Sequence, residues 1–210
     1  MKLLIDYNPV IGMFVVNDDE TKAKLAAARK ALGEDAWKRG FNPKAVDLAR
    51  DAGVKGVKLS GTLNGVYYAE NTHGANTYRK LRLVIENEQD LFTVSLELDS
   101  EISMRLIQLL ENVTAGAMVE LTATQEVVNR DGVAYCNHVP SLKADAKIVY
   151  PRTGRWKAAQ AQGDTARDAL KAVVKDAKLL NAAAAGAKVT YHRNLLELIE
   201  KRFAAARTPA

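Results

Sequence analysis

Two apolar alternations lie close together in this chain and leave little freedom in how they pair. In NTYRKLRLVIE (76–86) Leu81, Leu83 and Ile85 fall on one side, and in DLFTVSLELDS (90–100) Phe92, Val94 and Leu96 do the same. Successive side chains of a strand point to opposite faces, so each stretch has one apolar face and one open face. A tight turn near Glu88 and Gln89 joins them as a hairpin with Ile85 opposite Phe92, Leu83 opposite Val94 and Leu81 opposite Leu96. A slip of one residue would turn every one of these side chains into water. The same register sets Arg82 beside Ser95 and Lys80 beside Glu97 on the open face.

The rest of the chain organises around this hairpin. Residues 18–53 read as helical support: DDETKAKLAAARKALG opens with acidic residues and stops at Gly33, and a second helix starts at the Asn42 and Pro43 pair and runs to Gly53. VKGVKLSGTLNGVYYAE is a long strand whose glycines permit bending, and 69–77 (AENTHGANT) is a polar loop. Ser100 caps a helix with Ile102, Leu106, Leu109, Leu110 and Val113 as its apolar stripe, ended by Gly116. AMVELTATQEVV is a strand, NRDG a turn, VAYCNHV a strand, and SLKADAKIVY a last extended piece. PRTGRWKAAQAQG reads as a linker, followed by helices over 164–185 and 191–206. The expected divisions are therefore 1–53, an N-terminal strand and helical support; 54–150, a sheet-rich core; and 151–210, a basic linker with an Ala-rich helical tail.

Composition bounds the function classes. With 48% apolar and 26% charged residues the chain matches ordinary folded proteins. The single Cys136 excludes an internal disulfide framework and makes the cytosol the expected compartment. MKLLIDYNPVIGMFVV reads as one or two strands rather than a signal peptide, because Asp6 and Pro9 interrupt it and Lys2 is its only early cation. No stretch approaches the roughly eighteen apolar residues that a membrane span needs. Residues 1–150 carry 18 Lys and Arg against 20 Asp and Glu, whereas 151–210 carry 12 against 5, so the formal charge of +5 originates in the tail. Such asymmetry suits a polyanionic partner, and a solvated helix face produces it equally well.

Catalytic chemistry finds little support. GVKLSGT at 56–62 lacks the Lys of a phosphate-binding loop, since Thr62 stands in its place. Cys136 and His138 point the same way on a strand and are acceptable zinc ligands, but no third or fourth ligand follows at a sensible spacing, so no metal or cofactor is expected. There is no G-x-S-x-G nucleophile motif and no recognisable pair of carboxylates. The expectation is a protein that is not an enzyme.

Nucleic-acid binding accounts for more of the residues. A single strand is held by cations that follow its phosphates and by exposed rings on which bases stack. Tyr78, Lys80 and Arg82 supply both on one strand face, one of Tyr67 and Tyr68 must face outward on a regular strand, and Lys58 shares the outward side with Ser60 and Thr62. Tyr150 to Lys157 sets rings among Arg152, Arg155 and Lys157. The structural alternatives are that Tyr78 covers a sheet edge, that Lys80 pairs with Glu97, and that Trp156 packs the linker on the core.

The order strand, strand, strand, helix, strand, strand, carried by VKLSGTLNGVYY, TYRKLRLVIENE, DLFTVSLELD and EISMRLIQLLENV, resembles the oligonucleotide-binding barrel. In detail it is similar to the single-stranded-DNA-binding proteins of bacteriophages. The resemblance implies an α+β fold with a curved antiparallel five-stranded sheet or barrel and helical additions at both ends. It also implies a binding face of Lys58, Tyr67, Asn71, His73, Tyr78, Lys80 and Arg82, to which Arg152, Arg155, Trp156 and Lys157 are added from the linker. Many such proteins carry an acidic tail that recruits replication partners, whereas EKRFAAARTPA is basic. That points to a narrower role, similar to phage proteins that hold opened promoter DNA for a phage RNA polymerase. The implied partners are single-stranded DNA and phage RNA polymerase or replication proteins, in the cytoplasm of an infected bacterium. The alternative expectation is an assembly protein, a homo-oligomer joined through its C-terminal helices.

Overall fold

The computed structural model describes residues 1–130 and 133–207, with the side chains of His73, Arg130, Val133, Ala134 and Arg207 outside that description. Strands β1 (Lys2–Asn8) and β2 (Met13–Val16) lead into helices α1 (Asp19–Leu32), α2 (Glu34–Lys38) and α3 (Pro43–Asp51). Next come β3 (Leu59–His73), β4 (Asn76–Glu86), β5 (Leu91–Glu97), α4 (Glu101–Leu110), β6 (Met118–Arg130), β7 (Val133–Ala144) and the short β8 (Lys147–Ile148). Two helices, α5 (Arg155–Leu170) and α6 (Ala177–Arg207), close the order. Asp131 and Gly132 of the expected turn NRDG lie outside the described residues.

The β4–β5 hairpin adopts the register that its apolar alternation demands, with Leu81 opposite Leu96, Leu83 opposite Val94 and Ile85 opposite Phe92. The order of three strands, a helix and two strands is also present, and β3 pairs with β6 through Leu59–Leu121 and Thr62–Met118.

The expected five-stranded oligonucleotide-binding barrel is not formed. The fold is α+β with one open, mixed sheet of eight strands in the order β2-β1-β5-β4-β3-β6-β7-β8. The difference arises at the outer edge of β5. There β1 pairs in parallel, Lys2 with Leu91 through Ile5 with Val94, and β2 extends the sheet beyond it. The N-terminal strands thus belong to the sheet instead of standing apart as a support. Closure requires the two outermost strands to pair with each other. Here they are the four-residue β2 and the two-residue β8, at opposite ends of the order.

One face of the sheet is packed by α4 and α6. Leu106, Ile107 and Leu110 of α4 and Leu195, Leu196, Ile199 and Phe203 of α6 join Ile5, Leu63, Leu81, Leu83 and Val94 in a single buried cluster. Each such side chain contributes roughly 1.5 to 3 kcal/mol by leaving water. A second cluster sets Ala28 of α1 and Ala45 and Ala49 of α3 against Val10, Ile11 and Val15. The caps read from the sequence are in place: Asn42 Oδ1 accepts from Lys44 N at 3.0 Å with Pro43 next to it, and Ser100 Oγ accepts from Ser103 N at 3.3 Å.

The C-terminal segments differ from expectation. Most of PRTGRWKAAQAQG is the start of α5 rather than a linker, the chain turns after Leu170, and α6 runs unbroken across 185–191. Gly163, which reads as a breaker, is instead a contact point between the two helices. A Cβ there would lie 3.0 Å from the Ala184 carbonyl oxygen and 2.8 Å from Lys188 Cε. Among the described residues no helix is long and apolar enough to cross a membrane.

Candidate nucleic-acid interface

The face of the sheet turned away from α4 and α6 carries most of the residues singled out on the strands. Directly opposed residues of neighbouring strands share a face. Tyr67 is opposite Arg82, and Arg82 is opposite Ser95; one step along, Ala69, Lys80 and Glu97 form the next row, and Asn71 faces Tyr78 beyond it. Lys58 is exposed just ahead of β3, and Thr62 pairs with Glu86 on the same side. The side chain of His73 lies outside the described residues.

Which of the adjacent tyrosines joins this face is decided by a bulge. Leu63 pairs with Ile85 and Gly65 with Val84, so the register shifts by one residue across Asn64. On a strand without that shift, the outward parity of Ser60 and Thr62 would continue to Tyr68. With it, Tyr67 joins the outer row, while Tyr68 turns toward α6, where the Arg193 guanidinium lies 4.8 Å from its ring and its amide donates to Glu200 Oε2 at 3.4 Å.

Within this face the charges differ in their engagement. Lys80 is held by Glu97 in a short ion pair and is mostly covered, so the pairing alternative raised by the sequence is realised. Asp6 lies in the field of both; burial raises its carboxyl above the ordinary value, and Lys80 and the bond from Asn17 act in the opposite sense. Arg82 is different. It is half-buried, its Nε is buried without a hydrogen bond, and its guanidinium has no ion pair among the described residues. A buried Nε donor left unsatisfied is unfavourable by itself, and an external anion on the guanidinium relieves it. Tyr78, at 41% exposure, presents an open ring two residues beyond Lys80.

The residues expected from the linker lie elsewhere and do a different job. Arg155 donates through Nε to Glu111 Oε2 at 2.8 Å and through Nη2 to Glu111 Oε1, and Arg152 Nε lies 3.4 Å from Glu111 Oε1. Glu111 is buried at the end of α4, and a carboxylate there needs such partners. Its pull holds the Arg155 guanidinium well above its already high ordinary value. Trp156 lies under the Arg105 guanidinium, 4.9 Å from ring centre to Cζ, and lines a small cavity together with Pro140 and Pro151. The structure therefore separates Arg152, Arg155 and Trp156 from the sheet-face group and uses them to dock α5 on α4. Lys157 stays exposed.

Cys136 and His138 share one side of β7, opposite Val127 and Gln125. His138 Nδ1 is engaged by the Tyr7 hydroxyl at 2.8 Å. Sequence reasoning missed Tyr7 and Ser95. Ser95 was legible only as a neighbour of Arg82 in the hairpin register, and Tyr7 only as the continuation of the Leu3, Ile5 alternation. No family model, no curated protein and no solved structure matches the chain.

Proposed function

We propose that the open face of β3, β4 and β5 binds single-stranded nucleic acid without catalysis and with little sequence preference. The observation that carries this reading is Arg82, a half-buried guanidinium without a protein partner, set in register between Tyr67 and Ser95. Tyr78 and Tyr67 supply rings for stacking, and Lys58 and Arg82 supply charge to phosphates. The resemblance of VKLSGTLNGVYY and TYRKLRLVIENE to bacteriophage single-stranded-DNA-binding proteins extends the proposal to phage replication or transcription, including the holding of opened promoter DNA for a phage polymerase.

Fluorescence anisotropy with labelled single-stranded and duplex oligonucleotides tests it. Single strands outcompete duplex, and affinity falls steeply as salt rises because counterions are released on binding. Replacing Tyr78, Lys80 and Arg82 together by Ala weakens binding more than tenfold at an unchanged circular dichroism spectrum. Equal affinity of that variant and the parent removes the sheet face from the reading.

A further inference from the structure

A cavity of about 220 Å3 opens beside the interface, where β1 and β5 meet the first turn of α4 and the middle of β7. It is smaller than the roughly 300 to 1,000 Å3 typical of sites for drug-sized ligands, so it suits a single ring system. Its walls divide by chemistry, with Pro9, Leu96 and Ile102 on the apolar side.

The polar side is ordered by hydrogen bonds. The Tyr7 hydroxyl accepts from Gln125 Nε2 at 3.2 Å and pairs with His138 Nδ1 at 2.8 Å; with no other acceptor for its hydrogen among the described residues, that hydrogen is assigned to Nδ1 of the neutral ring. A neutral His138 then carries its proton on Nε2, which has no partner among the described residues. Burial lowers the His138 pKa below its ordinary value and raises the Tyr7 hydroxyl to about 12, so both groups keep these protonation states near neutrality. Asp6 accepts from Asn17 through Oδ2 at 2.5 Å, and Glu97 receives Lys80 through Oε1. Glu101, also on the wall, receives Arg105 through Oε1. The second oxygen of each of these three carboxylates has no partner among the described residues, so one N–H donor and three carboxylate oxygens of the lining residues are free beside an apolar slot.

We propose that this cavity takes one unstacked nucleobase from a strand lying on the sheet face. A base out of its stack is held by apolar contacts to its ring and by hydrogen bonds to an edge that presents donors and acceptors side by side. Lys80 and Ser95 belong both to the cavity wall and to the rows of the outer face, which joins the two surfaces. The proposal rests on the single-strand reading above and assigns to it a base-recognising subsite.

The experiment uses the intact chain with free dAMP and dCMP as probes, inorganic phosphate as control, and the His138 ring signals in 1H–15N NMR as readout. Both mononucleotides shift those signals saturably, and phosphate does not. By titration calorimetry, His138→Phe, which puts a ring without an N–H at the site, weakens mononucleotide binding at least fivefold; Asp6→Asn, checked alongside for an unchanged melting temperature, weakens it by a similar factor. No shift with mononucleotides, or the same shift with phosphate, overturns the subsite. Oligonucleotide anisotropy on the same samples separates the two ideas. Oligonucleotides that bind without moving His138 leave the face standing and remove the cavity, and mononucleotides that bind where oligonucleotides do not remove the face and leave the cavity.

Discussion

Arg82 on β4 stands directly opposite Tyr67 on β3, on the sheet face turned away from the core helices, and its guanidinium has no ion pair within the described protein. The arrangement depends on two independent local features, the apolar alternation of β4 and the bulge of β3 at Leu63 and Gly65. Without the bulge the register would set Val66 opposite Arg82 and Tyr68 opposite Lys80, and Arg82 would lose its ring neighbour.

Arg82→Ala lowers single-strand affinity about tenfold and reduces the slope of log affinity against log salt by about 1, the signature of one lost phosphate contact. Urea unfolding of this variant gives a stability equal to or above that of the parent, because a partly desolvated cation without a partner has been removed. A stability loss above about 1 kcal/mol, with unchanged affinity, assigns Arg82 to the fold instead.

Arg155→Ala destabilises the protein by about 2 to 3 kcal/mol, somewhat under the usual figure for leaving a buried charge unpaired, since Arg152 remains beside Glu111. Oligonucleotide affinity of the folded protein changes less than twofold. Equilibrium denaturation and anisotropy on one preparation check both halves.

Arg202→Ala removes a cap that α6 provides for α4. The guanidinium donates to the Leu110, Glu111 and Val113 carbonyl oxygens at 2.8, 2.7 and 2.9 Å, where the helix leaves its last acceptors unsatisfied. The expected loss is about 1 to 2 kcal/mol with Lys restoring part of it, read from the midpoint of urea unfolding.

Stability declines as pH falls below about 6.5. His192 of α6 is fully buried against α4; its Nδ1 donates to the Lys188 carbonyl oxygen at 2.7 Å, and its Nε2 accepts from Gln108 Nε2 at 2.8 Å. Burial lowers its pKa from 6.5, so the unfolded chain takes up a proton that the folded one refuses. The sign follows: the contribution is complete above the unfolded value and is lost as pH drops through it toward the folded one. Melting temperatures from pH 8 to 5 trace this loss, and His192→Gln flattens most of it, with His138, shifted in the same direction, supplying the remainder.

Much of the local structure was readable from residue order. The Asn42–Pro43 and Ser100 caps, the stripe of Ile102, Leu106 and Leu110, and the pairing of Leu83 with Val94 all depend on neighbours within a few residues or on a period that only one register satisfies. The candidate face was readable for the same reason, because Tyr78, Lys80 and Arg82 are alternate residues of one strand. The roles of Arg152, Arg155 and Trp156 were not. A basic, aromatic, Gly-containing stretch has the same composition whether it meets phosphates or a buried carboxylate 44 residues from Arg155, and Glu111 gave no sign that it would be that carboxylate.

Periodicity along the chain therefore determined the β4–β5 hairpin register, the apolar stripe of α4 and the β4 side chains that leave the core, since these depend on contacts between near neighbours. Tertiary structure alone decided that β1 occupies the edge of β5 and leaves the sheet open, that Tyr67 and not Tyr68 accompanies Arg82, and that α5 is pinned by Glu111. Each of these outcomes brings together segments whose hydrogen-bonding and charge requirements many partners could meet. The partner is selected by the packing of the whole molecule rather than by the pattern of either segment.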